Sequence, residues 1–355
     1  MMPTIESDPT LGTSATIGRY FGLVSTVPSF VLWLWVYAVL VVGPFGGPPD
    51  IGRLTNVNPV TMPAHAVALV ILAVITAVVT HPLQSVAVQL MEGYWGVSSL
   101  ARRAASARVV VHLRRRAATD RVAEQAERDL RTLLRSLPDP QNDYLSAPND
   151  PRNATVVREI VDSEIAVMTA AKALSGYPEE HIHTMPTRLG NALRSSEALA
   201  GRAIGLDVIQ WATHIGLSAA PEQNAYLNDQ RSQLDLAVRM AAMGALAAAF
   251  TFVAFWPHGI WLLVALIPLT ASWLSYRGAV AGAGAYGRAF IAWLHLNRFA
   301  MYEALRLPEV ADADAERSQN SALTDLVVGN IGFSMAYRPS SPDQRPPVRR
   351  PGRSI

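Results

Sequence analysis

Hydrophobic residues fall along this chain in two long uncharged blocks, with a mixed helical pattern between them. The first block opens at about Tyr20 and runs to Val42, with the core Phe30-Val31-Leu32-Trp33-Leu34-Trp35-Val36-Tyr37-Ala38-Val39-Leu40. A second stretch, about Pro63 to Thr80, is rich in Val, Ile, Leu and Ala, and His81-Pro82 interrupts it. From Leu54 to Met91 there is no Asp, Glu, Lys or Arg. A helix needs roughly 20 apolar residues to cross a bilayer core, so each stretch predicts a span. The proline predicts a kink, with Leu83–Met91 as the cytoplasmic end of the second helix. The second block predicts two more spans, Met240–Trp256 and Ile260–Ser275, joined by Pro257-His258-Gly259.

Between the blocks the period is helical. Val109, Leu113, Val122, Ala126, Leu130, Leu133 and Leu137 recur mostly at three- or four-residue steps from Ser98 to Leu137. Pro138–Asn153 reads as a loop, and helices follow at Thr155–Leu174, from Pro186 to Gly205, at Val208–Leu217 and at Pro221–Leu236. The fourth span extends inward to about Leu305 along Tyr286, Phe290, Trp293, Leu294, Met301 and Leu305, with Gly278 and Gly282 as a small-xxx-small pair.

The predicted fold is therefore all-α: a polytopic membrane protein with two transmembrane hairpins and a helical cytoplasmic domain between them. By residue number it divides into a tail at 1–19, a first hairpin at 20–96, the cytoplasmic domain at 97–235 and a second hairpin at 236–276. A cytoplasmic helical extension at 277–307 and a mostly disordered tail at 308–355 complete it. Arginine placement sets the orientation. The loop after the first span holds Arg53 alone and the Pro257–Gly259 turn holds none, whereas Arg102, Arg103, Arg108, Arg114, Arg115 and Arg116 follow the second span. Arg277, Arg288 and Arg298 follow the fourth. Both termini are thus expected in the cytoplasm, with the chain in the inner (plasma) membrane and Arg102 to Arg116 as contacts for lipid headgroups.

Composition adds exclusions. Of 355 residues only 16% are charged, and the net charge of +2 gives no support to a nucleic-acid partner. Lys172 is the only lysine, and with no cysteine the chain has no disulfide and no thiolate site. His181 and His183, near Glu179 and Glu180, lack a third spaced ligand element and read as a solvated loop. Glu159, Asp162 and Glu164 read as a charged helix face. No phosphate-loop, dinucleotide, nucleophile-elbow or zinc-protease motif occurs, and the span centres carry no charged residue. No catalytic, cofactor-binding or metal-ligating set is assigned.

Three stretches stand out as motifs. They are His81-Pro82-Leu83-Gln84 with Glu92-Gly93-Tyr94-Trp95-Gly96, then Pro186-Thr187-Arg188-Leu189-Gly190-Asn191 with Gly205-Leu206-Asp207, and Arg298-Phe299-Ala300-Met301-Tyr302-Glu303-Ala304-Leu305. Together they resemble a family of uncharacterised actinobacterial multi-pass membrane proteins, over about Tyr20 to Pro308. That resemblance implies a shared architecture and no activity. Glu92, Tyr94, Trp95, Arg188, Asn191 and Asp207 are the candidate structural or partner contacts, with Glu92 expected to pair with an arginine such as Arg188. The functional expectation is a non-enzymatic scaffold that presents its cytoplasmic helices to a protein partner; the alternative is a pore subunit, which requires a homo-oligomer.

Overall fold

The computed structural model describes residues 26–45, 47–56, 63–136, 151–330 and 334–338. Among them every regular element is helical. The expected tail at 1–19, the start of the first span at Tyr20, most of the Pro138–Asn153 loop and the end beyond Arg338 lie outside the described residues.

The first apolar block forms α1 (Val27–Val42), a short α2 (Gly52–Asn56), α3 (Pro63–Thr80) and α4 (Gln84–Glu92). Gly43, at φ 79°, stops α1 in the left-handed region that glycine adopts without penalty. His81-Pro82 separates α3 from α4, as the proline predicts. Then come α5 (Ser99–Ser136), α6 (Pro151–Leu174), a 3-10 turn at His181–His183, α7 (Arg188–Arg202) and α8 (Val208–Ser218). Helix α9 (Pro221–Phe255) joins the expected polar helix to the expected third span without a break. Helix α10 (Leu266–Ala304) does the same for the fourth span and its extension.

The start of the fourth span differs from expectation. Trp256–Ala265 is 3-10, with His258 and Gly259 out of helical conformation, and the α-helix begins only at Leu266. A 3-10 segment rises roughly 2.0 Å per residue against 1.5 Å for an α-helix. The short apolar stretch thereby gains reach.

Two compact units result, and their borders are not those read from the sequence. One unit holds residues 1–195 and 228–287, the other 196–227 and 288–355. In the first unit α1 meets α3 through Trp33, whose indole N–H donates to Thr76 at 2.7 Å, and α9 through Trp35, which donates to Thr251 at 2.9 Å. Small residues make the close contacts: Ala73, Ala77, Ala279 and Ala283 are buried. Gly244 lies against the backbone of Ser272, whose hydroxyl donates to the Ala241 carbonyl at 2.7 Å. The expected Gly278–Gly282 pair does not serve this purpose as a pair. A Cβ on Gly278 would meet nothing within 4 Å, and only Gly282 approaches a neighbour, Leu234. At one end of the unit the two connections meet, where His258 Nε2 donates to the Pro44 carbonyl at 2.7 Å.

The second unit packs around Trp211, Ile215, Leu294, Met301, Leu307 and Leu323. Part of it falls where a tail was read: α11 (Ala313–Val328) is a capped helix. Asp312 accepts from the N–H groups of Asp314 and Ala315, and Gly329 closes the helix at φ 76°. Its apolar contribution to the core is mainly Leu323, so the sequence shows almost no apolar stripe there.

Among the described residues two helical stretches are long and apolar enough to cross a membrane, Pro63–Thr80 and the run from Pro221 to Ala304. The latter bends at His258-Gly259, and α1 is a shorter apolar helix.

Candidate functional site

Two of the sequence motifs come together, through main chain and glycine. Helix α4 ends at Gly93, φ 110°, whose N–H returns to the Gln89 and Leu90 carbonyls while Tyr94 N–H bonds Gln89. This termination leaves the Glu92 carbonyl open to an outside donor. The donor is the Thr187 hydroxyl, at 2.7 Å. The same oxygen accepts the N–H of Gly190 at 3.0 Å, so Thr187 is also the N-cap of α7.

Both glycines are required by this joint. A side chain on Gly190 would overlap the Glu92 carbonyl, and one on Gly93 would overlap the ring of Pro186. Asn191 secures the turn before α7. It is 1% exposed, accepts from Met185 N–H at 2.8 Å, and donates to the carbonyls of Met185 and Thr187. Trp95 folds back to donate to the Leu90 carbonyl at 2.9 Å, and Arg194 donates to Tyr94 Oη at 3.3 Å.

The other expected contacts sort differently. Asp207 belongs to the second unit and is the N-cap of α8, accepting from Ile209 and Gln210. Arg188 is exposed, and its charge bears on His112. Among the arginines assigned to lipid, Arg102, Arg103, Arg108, Arg114 and Arg115 are exposed. Arg116 is not available in that way: its guanidinium donates to the carbonyls of Pro178 at 2.6 Å and Glu179 at 2.9 Å. His181 and His183 are exposed, and His183 lies 3.7 Å from Glu180.

Sequence reading gave neither His112 nor Arg239 a place among the candidate site residues. His112 is fully buried, and its Nδ1 shares a 3.1 Å hydrogen bond with Tyr177 Oη. Burial lowers its pKa to about 4, helped by the cations of Arg108, Arg115 and Arg188; the Pro186 carbonyl acts in the opposite direction. Arg239 is 4% exposed. It donates to Thr80 Oγ1 at 2.6 Å, to Gln84 Oε1 at 3.2 Å and to the Ala77 carbonyl at 3.4 Å. The break at His81-Pro82 accounts for the last contact. His81 N–H turns to Val78 instead of Ala77, and the guanidinium takes the vacated acceptor. The signal was present: a proline in an apolar helix frees carbonyls, and Arg239 stands at the start of an apolar helix.

In the second unit the third motif supplies a buried polar network. Arg298 Nε bonds Glu316 at 2.7 Å, Tyr302 Oη donates to Glu316 and Asn320, and Asn320 donates to the Ile204 carbonyl. Burial pushes the Tyr302 phenol well above its usual range, with Glu316 adding to the effect.

Comparison with protein-family models, with curated proteins and with solved structures finds no match.

Proposed function

We propose that this chain is a four-span integral membrane protein acting as a non-enzymatic scaffold, with both termini and the helices α5 to α8 in the cytoplasm. The observation that carries the membrane reading is apolar exposure. On α3, Val67, Val70, Ile71, Ile75, Val78 and Val79 are each more than half exposed, and Leu246, Val253, Ile267, Leu269 and Trp273 repeat the pattern on α9 and α10. Leaving each such side chain in water rather than apolar surroundings costs about 1.5–3 kcal/mol when it is fully exposed, and lipid is the solvent that removes the cost.

Two contacts support full crossing by the second hairpin. Arg239 meets the Thr80 end of α3, and His258 meets the loop after α1. The intervening helix, Arg239 to Phe255, spans roughly 24 Å at 1.5 Å per residue, close to a bilayer core.

The scaffold reading rests on the joint at Glu92 and Thr187, whose polar groups hold α7 against α4, and on the long hairpin of α5 and α6 beyond it. That hairpin exposes Val122, Ile165 and Met168. Reporter fusions after Leu54, Leu137, His258 and Leu305 test the topology: cytoplasmic signals are expected at Leu137 and Leu305 only, and an external signal at Leu137 refutes it. A photo-crosslinker at Met168 in native membranes tests the scaffold, with a defined protein adduct expected there and none from the same probe at Ser136.

A further inference from the structure

Helix α5 places Arg108, His112 and Arg115 at i, i+4 and i+7, on one face. The middle position is covered and the flanks are open. His112 is fully buried against Tyr177, while Arg108 and Arg115 are exposed. The covering segment runs on to Pro186, and Arg188, two residues later on α7 and also exposed, is near enough for its charge to act on His112. Arg116 pins that segment to α5 through the Pro178 and Glu179 carbonyls, so the frame is held without the other three arginines. Among the described residues no ion pair engages Arg108, Arg115 or Arg188. Clustered cations without a counter-charge repel one another, and an anion relieves that repulsion.

We propose that Arg108, Arg115 and Arg188 form a binding site for a phosphate group, supplied by the headgroup of an anionic membrane lipid. Guanidinium forks match phosphate oxygens in pairs, and phosphate accepts from more than one fork at once. The site sits on the first helices beyond the apolar segments, since α4 follows α3 after one break and α7 is tied to the end of α4. The buried imidazole, held neutral by its surroundings, adds no fourth charge to this face. The lipid source rests on the membrane reading above; the phosphate chemistry does not.

The test uses the full-length protein purified in detergent. Binding of phosphatidic acid, phosphatidylglycerol and phosphatidylcholine is measured in mixed micelles, with inorganic phosphate as probe and competitor. Saturable binding of the anionic lipids is expected, weakened by about tenfold or more when Arg108→Gln and Arg188→Gln are combined, as befits loss of two charge-assisted contacts. Arg135→Gln, in the last turn of α5, is expected to leave binding unchanged. Without ligand the double variant is expected to melt no lower than wild type, because repulsion is relieved. Competition by inorganic phosphate would assign recognition to the phosphate itself; lipid binding lost in the variant without such competition would assign it to the membrane-held headgroup. Equal binding of phosphatidylcholine, no saturable binding of any anionic probe, or equal loss in Arg135→Gln would overturn the proposal. If alkaline carbonate stripped the chain from membranes while inorganic phosphate still bound through these arginines, the membrane reading would fail and the site would stand.

Discussion

The Thr187 hydroxyl donates to the Glu92 carbonyl at 2.7 Å while accepting the N–H of Gly190 at 3.0 Å, so one side chain closes the end of α4 and the start of α7. Removing it takes a donor from the part-buried Glu92 carbonyl and the cap from one helix. Thr187→Val is expected to lower stability by about 1–3 kcal/mol, from a lost cap and a lost hydrogen bond. Thr187→Ser should retain most of it. Gly190→Ala is expected to be at least as damaging, because its Cβ meets main chain that has no room to move. Thermal unfolding of the three variants in detergent checks this, and a Thr187→Val protein as stable as wild type would remove the joint's importance.

Arg239 acts as the donor set for a broken helix. Its guanidinium holds the Ala77 carbonyl and Thr80 hydroxyl where proline prevents normal pairing. Arg239→Met fills similar volume but donates nothing, and is expected to cost about 2–3 kcal/mol through unsatisfied buried groups. Arg239→Lys should recover little, since a point charge cannot serve three acceptors in a planar fork. The same unfolding assay decides, and equal stability of the Met variant would show that water or repacking substitutes.

His112 gives the molecule a pH dependence with a defined sign. Its folded pKa, about 4, lies below the ordinary 6.5. Between those values the unfolded chain takes up a proton that the folded protein refuses. Stability is therefore complete above about pH 6.5, falls as the pH drops toward 4, and loses no more from this group below that. The full shift corresponds to about 3 kcal/mol. Arg108 and Arg115 on α5 and Arg188 on α7 act on the ring through their charge, and the Tyr177 hydroxyl bonds it. Unfolding measured from pH 4 to 8 is expected to show a slope that His112→Gln flattens; an unchanged slope would assign it to other groups.

Helix α11 should be indispensable to the second unit. It contributes Leu323 to the core, and Glu316 and Asn320 to the network around Tyr302. Truncation before Asp312 is expected to unfold that unit, whereas truncation after Arg338 is expected to leave it folded. Glu316→Ala strands the Arg298 guanidinium, which is 17% exposed, and is expected to cost about 3 kcal/mol as a broken buried pair. Limited proteolysis and thermal unfolding of each form would check this, and a stable chain without α11 would restore its reading as a tail.

The apolar blocks and the proline break were legible because each is local. An apolar helix needs a run of apolar residues in sequence, and a break needs one proline. The glycines of the two motifs could also be marked as special, since glycine in such settings signals a turn or a close approach. What they approached could not be read, because Gly93 meets Pro186 and Gly190 meets Glu92 only through the fold.

Three outcomes belonged to tertiary structure alone. The unit border cuts through α7, α9 and α10, since compactness depends on which faces pack and not on where hydropathy changes. Helix α11 is held by one apolar side chain and a polar network assembled from distant residues, so hydrophobic periodicity could not announce it. The arginines assigned to lipid were separated by their partners. Arg116 is held by carbonyls more than sixty residues away, while Arg108 and Arg115 stay exposed. The sequence by itself determined where the chain is apolar, helical and basic, because those are properties of neighbouring residues. Which charges are satisfied and which glycines are crowded was decided only when the helices packed, because both depend on atoms brought close from far along the chain.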